Sequence, residues 1–445
     1  MNVIKPFRGF RYDLSKAGEL SELIAPPYDV ISPDLQQKLH HRSIYNIVRL
    51  ALAEDEEGDD EHHNKYTRAA RRWREWRDDG VLFRDGTPMI YRYMMSFSSK
   101  MPEGIVTHER PGFMALLRLF EYSEGKVLPH ERTLAGPKED RFQLMLHTGA
   151  QFSPVFLIYP DEKGVIDSAL GESPLTDDSF VCEDDAGVSH SLWPISDPEA
   201  AGAVEAHLSE QALYIADGHH RYETALTMRR HLLERSPLFA EGLDYVLAYF
   251  TPLEHPGLTI FPYHRLIHNL PKRRLSGLFK KLADYFHIDR TLLSPLQQGE
   301  PRREFMTGLR ERGKNSRVFG MVDSTGQGHY LTLKTDVSAT GDFHSEAELE
   351  QASLDVSILE RVILKEILGI KHKDLTNEKH ISYATDYDTI LNEVQNPPYQ
   401  LAFLLNPTPV EAVIRISHQG GVMPEKSTYF FPKTATGLVM RSMED

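Results

Sequence analysis

The sequence predicts a mixed α+β chain of about two lobes, on three observations. Its 445 residues are two to three times the usual domain length. Short β-like apolar runs bounded by Gly, Pro or Ser are mixed with amphipathic helical stretches, without an internal repeat. Beyond about residue 266 the pattern of elements restarts, which places one lobe at 1–265 and a second α+β lobe at 266–445.

Taken in order, residues 62–79 put Tyr66, Ala69, Ala70, Trp73 and Trp76 at helical spacing, and Gly80 ends the run. MIYRYMMSF at 89–97, GFMALLRLF at 112–120 and VFLIYP at 155–160 read as strands. Residues 198–210 read as a helix, ALYIA at 212–216 as a buried strand, 221–235 as a helix and YVLAYF at 245–250 as a strand. In the second lobe a basic amphipathic helix at 271–286 precedes the strands VFGMV and HYLTL and a helix at 354–369. ATDYDTILNEV and PVEAVIRIS read as helices on either side of the strand at 399–405.

Composition narrows the function classes. An apolar content of 40% with 10% aromatic residues suffices for a sizeable core. Fifty basic against 65 acidic residues, a net charge of −15, disfavour a duplex nucleic-acid or membrane-surface partner. The charge is concentrated: EDEEGDDE at 54–61 has seven acids and no base, and 161–199 has eleven acids against Lys163 alone. Both stretches read as solvated loops or edge hairpins, and the rest of the chain is near neutrality. A single cysteine, Cys182, removes a disulfide framework and thiolate zinc sites. No signal-peptide h-region and no 18-residue uncharged apolar window occur, so a soluble cytoplasmic protein is expected. Oligomeric state is left open.

Three blocks carry chemistry. In YIADGHHRYETAL at 214–226 a strand ends, Asp217 and Gly218 turn the chain, and Arg221 begins a helix whose free N–H groups favour an anion. Gly218 permits close approach of backbone to a ligand, Arg221 offers a phosphate fork, and His219 or His220 can donate or shuttle a proton. Asp217 capping the helix is the plainer reading. In PHERTLAGPKEDRF at 129–142, His130 and Glu131 precede a Gly136–Pro137 turn, followed by Lys138, Asp140 and Arg141. Glu131 suits a base, Lys138 and Arg141 suit phosphate oxygens, and Asp140 suits a divalent ion, usually through water. In GGVMPEKSTYFFPKTATGL at 420–438, Lys426, Ser427, Thr428 and Lys433 could line an anionic ligand. The spacing is not that of a P-loop, and a hairpin with Tyr429, Phe430 and Phe431 in the core reads equally well. Weaker signals are Tyr28 and Asp29 in APPYDVIS, Asn46 with Arg49 in YNIVRL, and His264 with Arg265 in GLTIFPYHRLIH. His62 and His63 read as solvated surface rather than as a metal site.

Together APPYDVIS, YNIVRL, HERT with PKEDR, ADGHHRYETAL, FPYHRL, LDVSIL and MPEKSTYFFPK resemble the bacterial and archaeal family known as domain of unknown function 1015. The resemblance runs from Phe7 to Val439. The DGHHR segment is in turn similar to the phosphate-contacting loop of the ParB and sulfiredoxin superfamily, which includes nucleotide hydrolases and kinases of free serine. That likeness implies a ParB/sulfiredoxin-like nucleotide-binding first lobe and a C-terminal lobe that closes the cleft. It also implies phosphate contacts for Gly218, His219, His220 and Arg221, with Asp217 orienting the loop or a metal. Sulfiredoxin's own activity is excluded, because its catalytic cysteine has no counterpart in HHR.

The expectation is a phosphotransferase that uses Mg²⁺ and ATP or ADP to phosphorylate a small hydroxylated metabolite, free serine or a relative. Glu131 would be the base, Lys138 and Arg221 the clamps, and His219 or His220 a charge stabiliser. A nucleotide-binding regulatory module without turnover is the second reading. A metal hydrolase built on His130, Glu131, His219 and His220 is the third.

Overall fold

The computed structural model describes residues 2–443 apart from 103, 134, 172–178, 236–239, 291–298, 335–345, 372 and 375–378. A nine-stranded mixed sheet organises the first part of the chain. Its strands run in the order Val127–Leu128, Leu213–Asp217, Val155–Tyr159, Tyr245–Pro252, Gly104–Arg118, Ile90–Met101, Ser189–Ile195 and Phe180–Glu183, with Ile4–Lys5 beside Gly104–Arg118. Leu213–Asp217 is parallel to Val127–Leu128, and Tyr245–Pro252 is parallel to Val155–Tyr159; the other pairs are antiparallel. The central strands read as unbroken apolar runs because both faces are covered. Phe156, Ile158, Leu247 and Tyr249 enter one core, while Val155, Leu157, Val246, Ala248 and Phe250 enter the other.

Helices cover those faces. Lys65–Asp78 buries Ala69, Ala70, Trp73 and Trp76, the stripe that the spacing predicts, and Asn64 caps it by accepting from the Tyr66 and Thr67 N–H groups. On the opposite face Pro198–Glu210 buries Ala200, Val204 and Leu208, and His219–Arg235 packs Tyr222, Ala225, Leu226 and Met228. The Tyr222 hydroxyl donates to the Phe120 carbonyl (2.9 Å) and accepts from the Phe120 N–H (3.0 Å), which fixes that helix against the sheet.

A second, antiparallel sheet runs Phe286–Arg290, Gly328–Leu333, Val318–Asp323, Tyr399–Leu404, His264–His268 and Ile381–Ala384. It too separates two cores, Phe319, Met321 and Phe403 facing one and Val318, Val322 and Leu404 the other. The last part of the chain then returns to the first sheet's neighbourhood. Met423 bridges Glu131, Tyr429–Phe431 pairs with Thr259–Phe261, Thr436 bridges Ala25, Met440 bridges Phe10, and Arg441–Ser442 pairs with Ala150–Gln151. Arg110, wholly buried, holds this return by donating to the carbonyls of Phe431 (2.9 Å) and Pro432.

The mixed α+β class is as predicted, with four local corrections. The strands expected at 89–97 and 112–120 are arms of one long hairpin, Ile90–Met101 and Gly104–Arg118. The helix expected at 271–286 is two, Lys272–Leu275 and Leu278–Tyr285, because Gly277 at φ +66° breaks it. The helix expected at 354–369 begins as Asp355–Ile358 and continues as π-helix over Leu359–Ile367. The Gly136–Pro137 turn lies inside the helix Ala135–Thr148, since proline is tolerated in a first turn whose N–H groups need no intrahelical acceptor. Of the acidic stretches, 54–61 has no helix or strand, whereas 161–199 holds a helix, Val165–Leu170, and the sheet-edge hairpin Phe180–Glu183 with Ser189–Ile195; its residues 172–178 lie outside the described ones. Among the described residues no helix is long and apolar enough to cross a membrane.

Candidate functional site

The strand Leu213–Asp217 delivers the first block. Leu213 and Ile215 face one core, Tyr214 and Ala216 the other, and the apolar run ends at a bulge: Ile215 pairs with Leu157, but Asp217 pairs with Phe156. The extra residue shifts the alternation by one, which moves Asp217 from the face of Ile215 to that of Phe156. Gly218 follows at φ +91°, and a Cβ there would lie 2.9 Å from Arg221 Cζ, so glycine is required both by the conformation and by the close approach of that side chain. The helix His219–Arg235 starts immediately after, and its first turn points N–H groups that lack intrahelical acceptors toward the same side.

A cavity of about 310 Å³ opens at this turn, and all three sequence blocks reach it. From the first come Asp217, Gly218, His219, His220 and Arg221, from the second Glu131 and Arg132, and from the third Lys426, Thr428 and Lys433. Tyr28 and Asp29 complete one side and Tyr263 another. Asp217 is held by Lys433 (2.8 Å) and by Arg221. Burial alone would raise its pKa, but Lys433 and Arg221 outweigh it and hold the carboxyl well below its usual range. Conversely, burial would lower Lys433, but Asp217 and Asp29 keep it firmly protonated. Glu131 behaves oppositely. Burial pushes it up to about 7 against the opposing influence of Lys426, whose N–H donates to Glu131 Oε1 (3.2 Å).

The histidines are neutral and partly committed. Burial lowers His130 to about 4, so its Nδ1–H donates to the Ile215 carbonyl (2.7 Å) while Nε2 accepts from the Thr428 hydroxyl (3.0 Å). His219, lowered by burial and by the neighbouring His130, accepts the His130 backbone N–H at Nε2 (3.3 Å). His130 therefore has no lone pair to offer a metal, and the only ring nitrogen of neutral His219 with a lone pair is already in use. His220 reaches the cavity with its pKa lowered by burial.

Other predicted site residues lie apart from this cavity. Lys138 is paired with Glu223 (3.0 Å). Asp140 accepts from the Tyr66 hydroxyl (2.8 Å) and from Arg141, and Arg141 also donates to the Ala51 carbonyl (2.6 Å) and stacks on Tyr28 at 4.2 Å. The two carboxylates considered for a divalent ion, Asp217 and Asp140, are thus not brought to one cavity, and Asp217 is already engaged by two cations. No group of three or more His, Cys, Asp or Glu side chains among the described residues is arranged to hold a metal ion. Among the described residues, the side chains at this cavity do not form a protein-held Mg²⁺ site.

Asn46 is structural: buried, it donates to the carbonyls of Glu22 (2.7 Å) and Ile24 (3.2 Å) and accepts from Val48 N–H (3.0 Å). Arg49 caps the carbonyls of Ser43 (3.1 Å) and His40 (2.5 Å). His264 accepts from Leu405 N–H (3.2 Å), and burial lowers it to about 3. Arg265 donates to the carbonyls of Tyr263 and Lys426 (2.9 Å with Lys426), and Ser427 donates to the Pro424 carbonyl. Sequence reasoning missed Tyr263, although it stands next to the His264–Arg265 pair, and it missed Glu425, although it stands directly before Lys426 in the third block.

Arg221 and Lys433 spend their charge on carboxylates, whereas Arg132 and Lys426 have no carboxylate partner among the described residues. The cavity thus combines a helix N-terminus, two cations without an ion pair and a carboxyl whose pKa burial raises to about 7.

No curated protein matches the chain. Among solved structures, a glutamate-to-glutamine mutant of free serine kinase in complex with AMP is similar at 10% identity and a TM-score of 0.34, over 70% of this chain and 85% of that one. A conserved hypothetical protein from Pyrococcus furiosus gives 12% identity and 0.33 over 73% and 95%. SbnI with a C-terminal truncation from Staphylococcus aureus gives 9% and 0.33 over 73% and 85%. The sequence profile of one family matches residues 4–357, a span that contains both the HERT and the DGHHRYETAL blocks: the chain belongs to DUF1015, a family of proteins of unknown function.

Proposed function

We propose that the cavity binds the phosphates of a nucleotide, ATP or ADP, and transfers a phosphoryl group to the hydroxyl of a small metabolite. The observation that carries the reading is Glu131, a carboxyl whose pKa stands at about 7, lining the same cavity as the Gly218 turn and the helix N-terminus. Glu131 takes the proton of the acceptor hydroxyl as that oxygen bonds to the terminal phosphorus. The bond from phosphorus to the bridging oxygen breaks, and the nucleotide leaves one phosphoryl group shorter. Lys426, Arg132 and the first-turn N–H groups stabilise the phosphate charge, roles first assigned to Lys138 and Arg221. Arg221, Asp217 and Lys433 instead hold the turn in shape. A divalent ion would come with the nucleotide phosphates rather than on a protein cage. The two-lobe division at 265/266 belongs to the same reading, with residues 423–433 as the part of the second lobe that closes the cleft.

A nucleotide-binding module without turnover is the second reading, favoured by the commitment of Lys433 and Arg221 to carboxylates. Purified protein with ATP or ADP, Mg²⁺ and a panel of amino acids and other small hydroxylated metabolites separates the two. Phosphotransfer is expected, with Glu131→Gln lowering turnover at least 100-fold while nucleotide affinity changes less than threefold. Binding without product from any acceptor would favour the module, and absence of nucleotide binding would sink both readings.

A further inference from the structure

Next to the candidate cavity lies a larger one, of about 440 Å³, and the two share Arg132 and Glu425 in their walls. Arg265 lines the larger cavity. It is 4% exposed, and its guanidinium donates to two backbone carbonyls and sits 5.0 Å from the Tyr383 ring centroid. No carboxylate among the described residues forms an ion pair with it. Glu360, whose charge is felt at Arg265, is itself paired with Lys365 (2.7 Å). An uncompensated buried cation is costly, and carbonyl dipoles offset only part of that cost. Burial lowers the Arg265 pKa accordingly, although a guanidinium stays charged.

Two further groups in the same wall lack partners. Arg132 makes no ion pair among the described residues. The Ser357 hydroxyl is shielded from solvent and has no hydrogen-bond partner. Buried polar atoms in native structures are nearly always satisfied, so such an atom marks a missing water, ion or ligand. Glu348, also in the wall, is exposed, and Glu425 stands at the boundary between the cavities.

We propose that this second cavity is a binding site for a small organic anion, whose carboxylate or phosphate group pairs with Arg265 and Arg132 and accepts a hydrogen bond from Ser357. One planar guanidinium offers a fork to either group. The site stands without the phosphotransfer reading, because nothing in it requires a nucleotide or turnover.

Thermal unfolding of the full-length protein tests the site without nucleotide, since a ligand that binds only the folded chain raises Tm with its concentration. Inorganic phosphate and malonate at equal ionic strength form the two arms, with sodium chloride as reference. At least one of the two is expected to raise Tm in a saturable way, and the better arm identifies the group. Arg265→Met should abolish that rise, Arg265→Lys should keep part of it, and Ser357→Ala should weaken the apparent affinity several-fold. Lys433→Gln, which alters the neighbouring cavity, should leave it intact. Should Arg265→Met fail to fold, Ser357→Ala and Arg265→Lys carry the comparison. No anion-specific rise in the wild type, or a rise lost in Lys433→Gln and kept in Arg265→Met, overturns the proposal.

Discussion

At the scale of single residues, the consequential contrast is between two carboxyls that face one cavity. Asp217 is held ionised by Lys433 and Arg221, whereas at Glu131 burial outweighs the Lys426 N–H and the charges of Lys426 and Lys433. A carboxyl whose folded pKa is raised binds its proton more tightly folded than unfolded, so stability falls as pH climbs from about 4.5 through about 7. Glu131→Gln, which removes that titration, should therefore be more stable than the wild type by about 3 kcal/mol at pH 8, with the gap closing by pH 4.5. Urea unfolding at the two pH values measures it, and an equal gap at both would mean that Glu131 is not buried as described. At this scale the sequence was legible where a residue's neighbours along the chain set its role, as with Gly218 before the helix. It misled at Asn46, Arg49 and His264, polar side chains that satisfy backbone groups 2 to 141 positions away. Nothing in a local pattern separates a side chain that serves the backbone from one that serves a ligand.

At the scale of elements, the site depends on how a strand hands over to a helix. The apolar run 212–216 and the glycine after it made the strand, the turn and the helix readable. The bulge that turns Asp217 to the face of Phe156 was not, because it is a property of pairing with Val155–Tyr159 and not of either strand alone. The helix Ala135–Thr148 was likewise hidden behind the Gly136–Pro137 dipeptide, which reads as a turn. Gly218→Ala tests the handover directly: at φ +91° with 2.9 Å to Arg221 Cζ, the methyl group must displace the Asp217–Arg221 pair or the backbone. The expected cost is about 2 kcal/mol from backbone strain and lost packing, together with at least a tenfold loss of nucleotide affinity. Calorimetric titration and a denaturant melt read both, and an unchanged affinity would remove the turn from the site.

For the whole molecule, the second sheet takes its first strand from His264–His268, close to the restart of the pattern near residue 266, but the path of the final segment leaves no mark in the sequence. Residues 423–443 bridge or pair with Glu131, Thr259–Phe261, Ala25, Phe10 and Ala150–Gln151, contacts whose partners lie up to 430 positions earlier and leave no local trace. Two buried arginines fasten this return, Arg110 to the carbonyls of Phe431 and Pro432, and Arg441 to Gln151 (3.2 Å) and the carbonyls of Tyr245 and Gly242. Arg110→Met keeps an apolar stem but strands two carbonyls, which should cost about 3 kcal/mol. Limited proteolysis should then cut first within 424–440. Cleavage elsewhere, with wild-type protection of that segment, would show that Arg110 does not hold the return.

That return also sets a clock on biosynthesis. A nascent chain that has already emitted Asp217 and Arg221 still lacks Lys433, the second cation on the same buried carboxylate. At ordinary ribosomal elongation rates the gap between them is roughly ten to forty seconds. Until that return arrives, the core completed by Phe430, Ala435, Leu438, Val439 and Met440 is unfinished, the cavity has no third wall and Asp217 no full compensation. A message truncated before residue 430 would therefore yield a chain that keeps the DGHHR turn and the core of Leu213, Ile215 and Phe250, yet carries an incomplete second core and an open, unbalanced cleft.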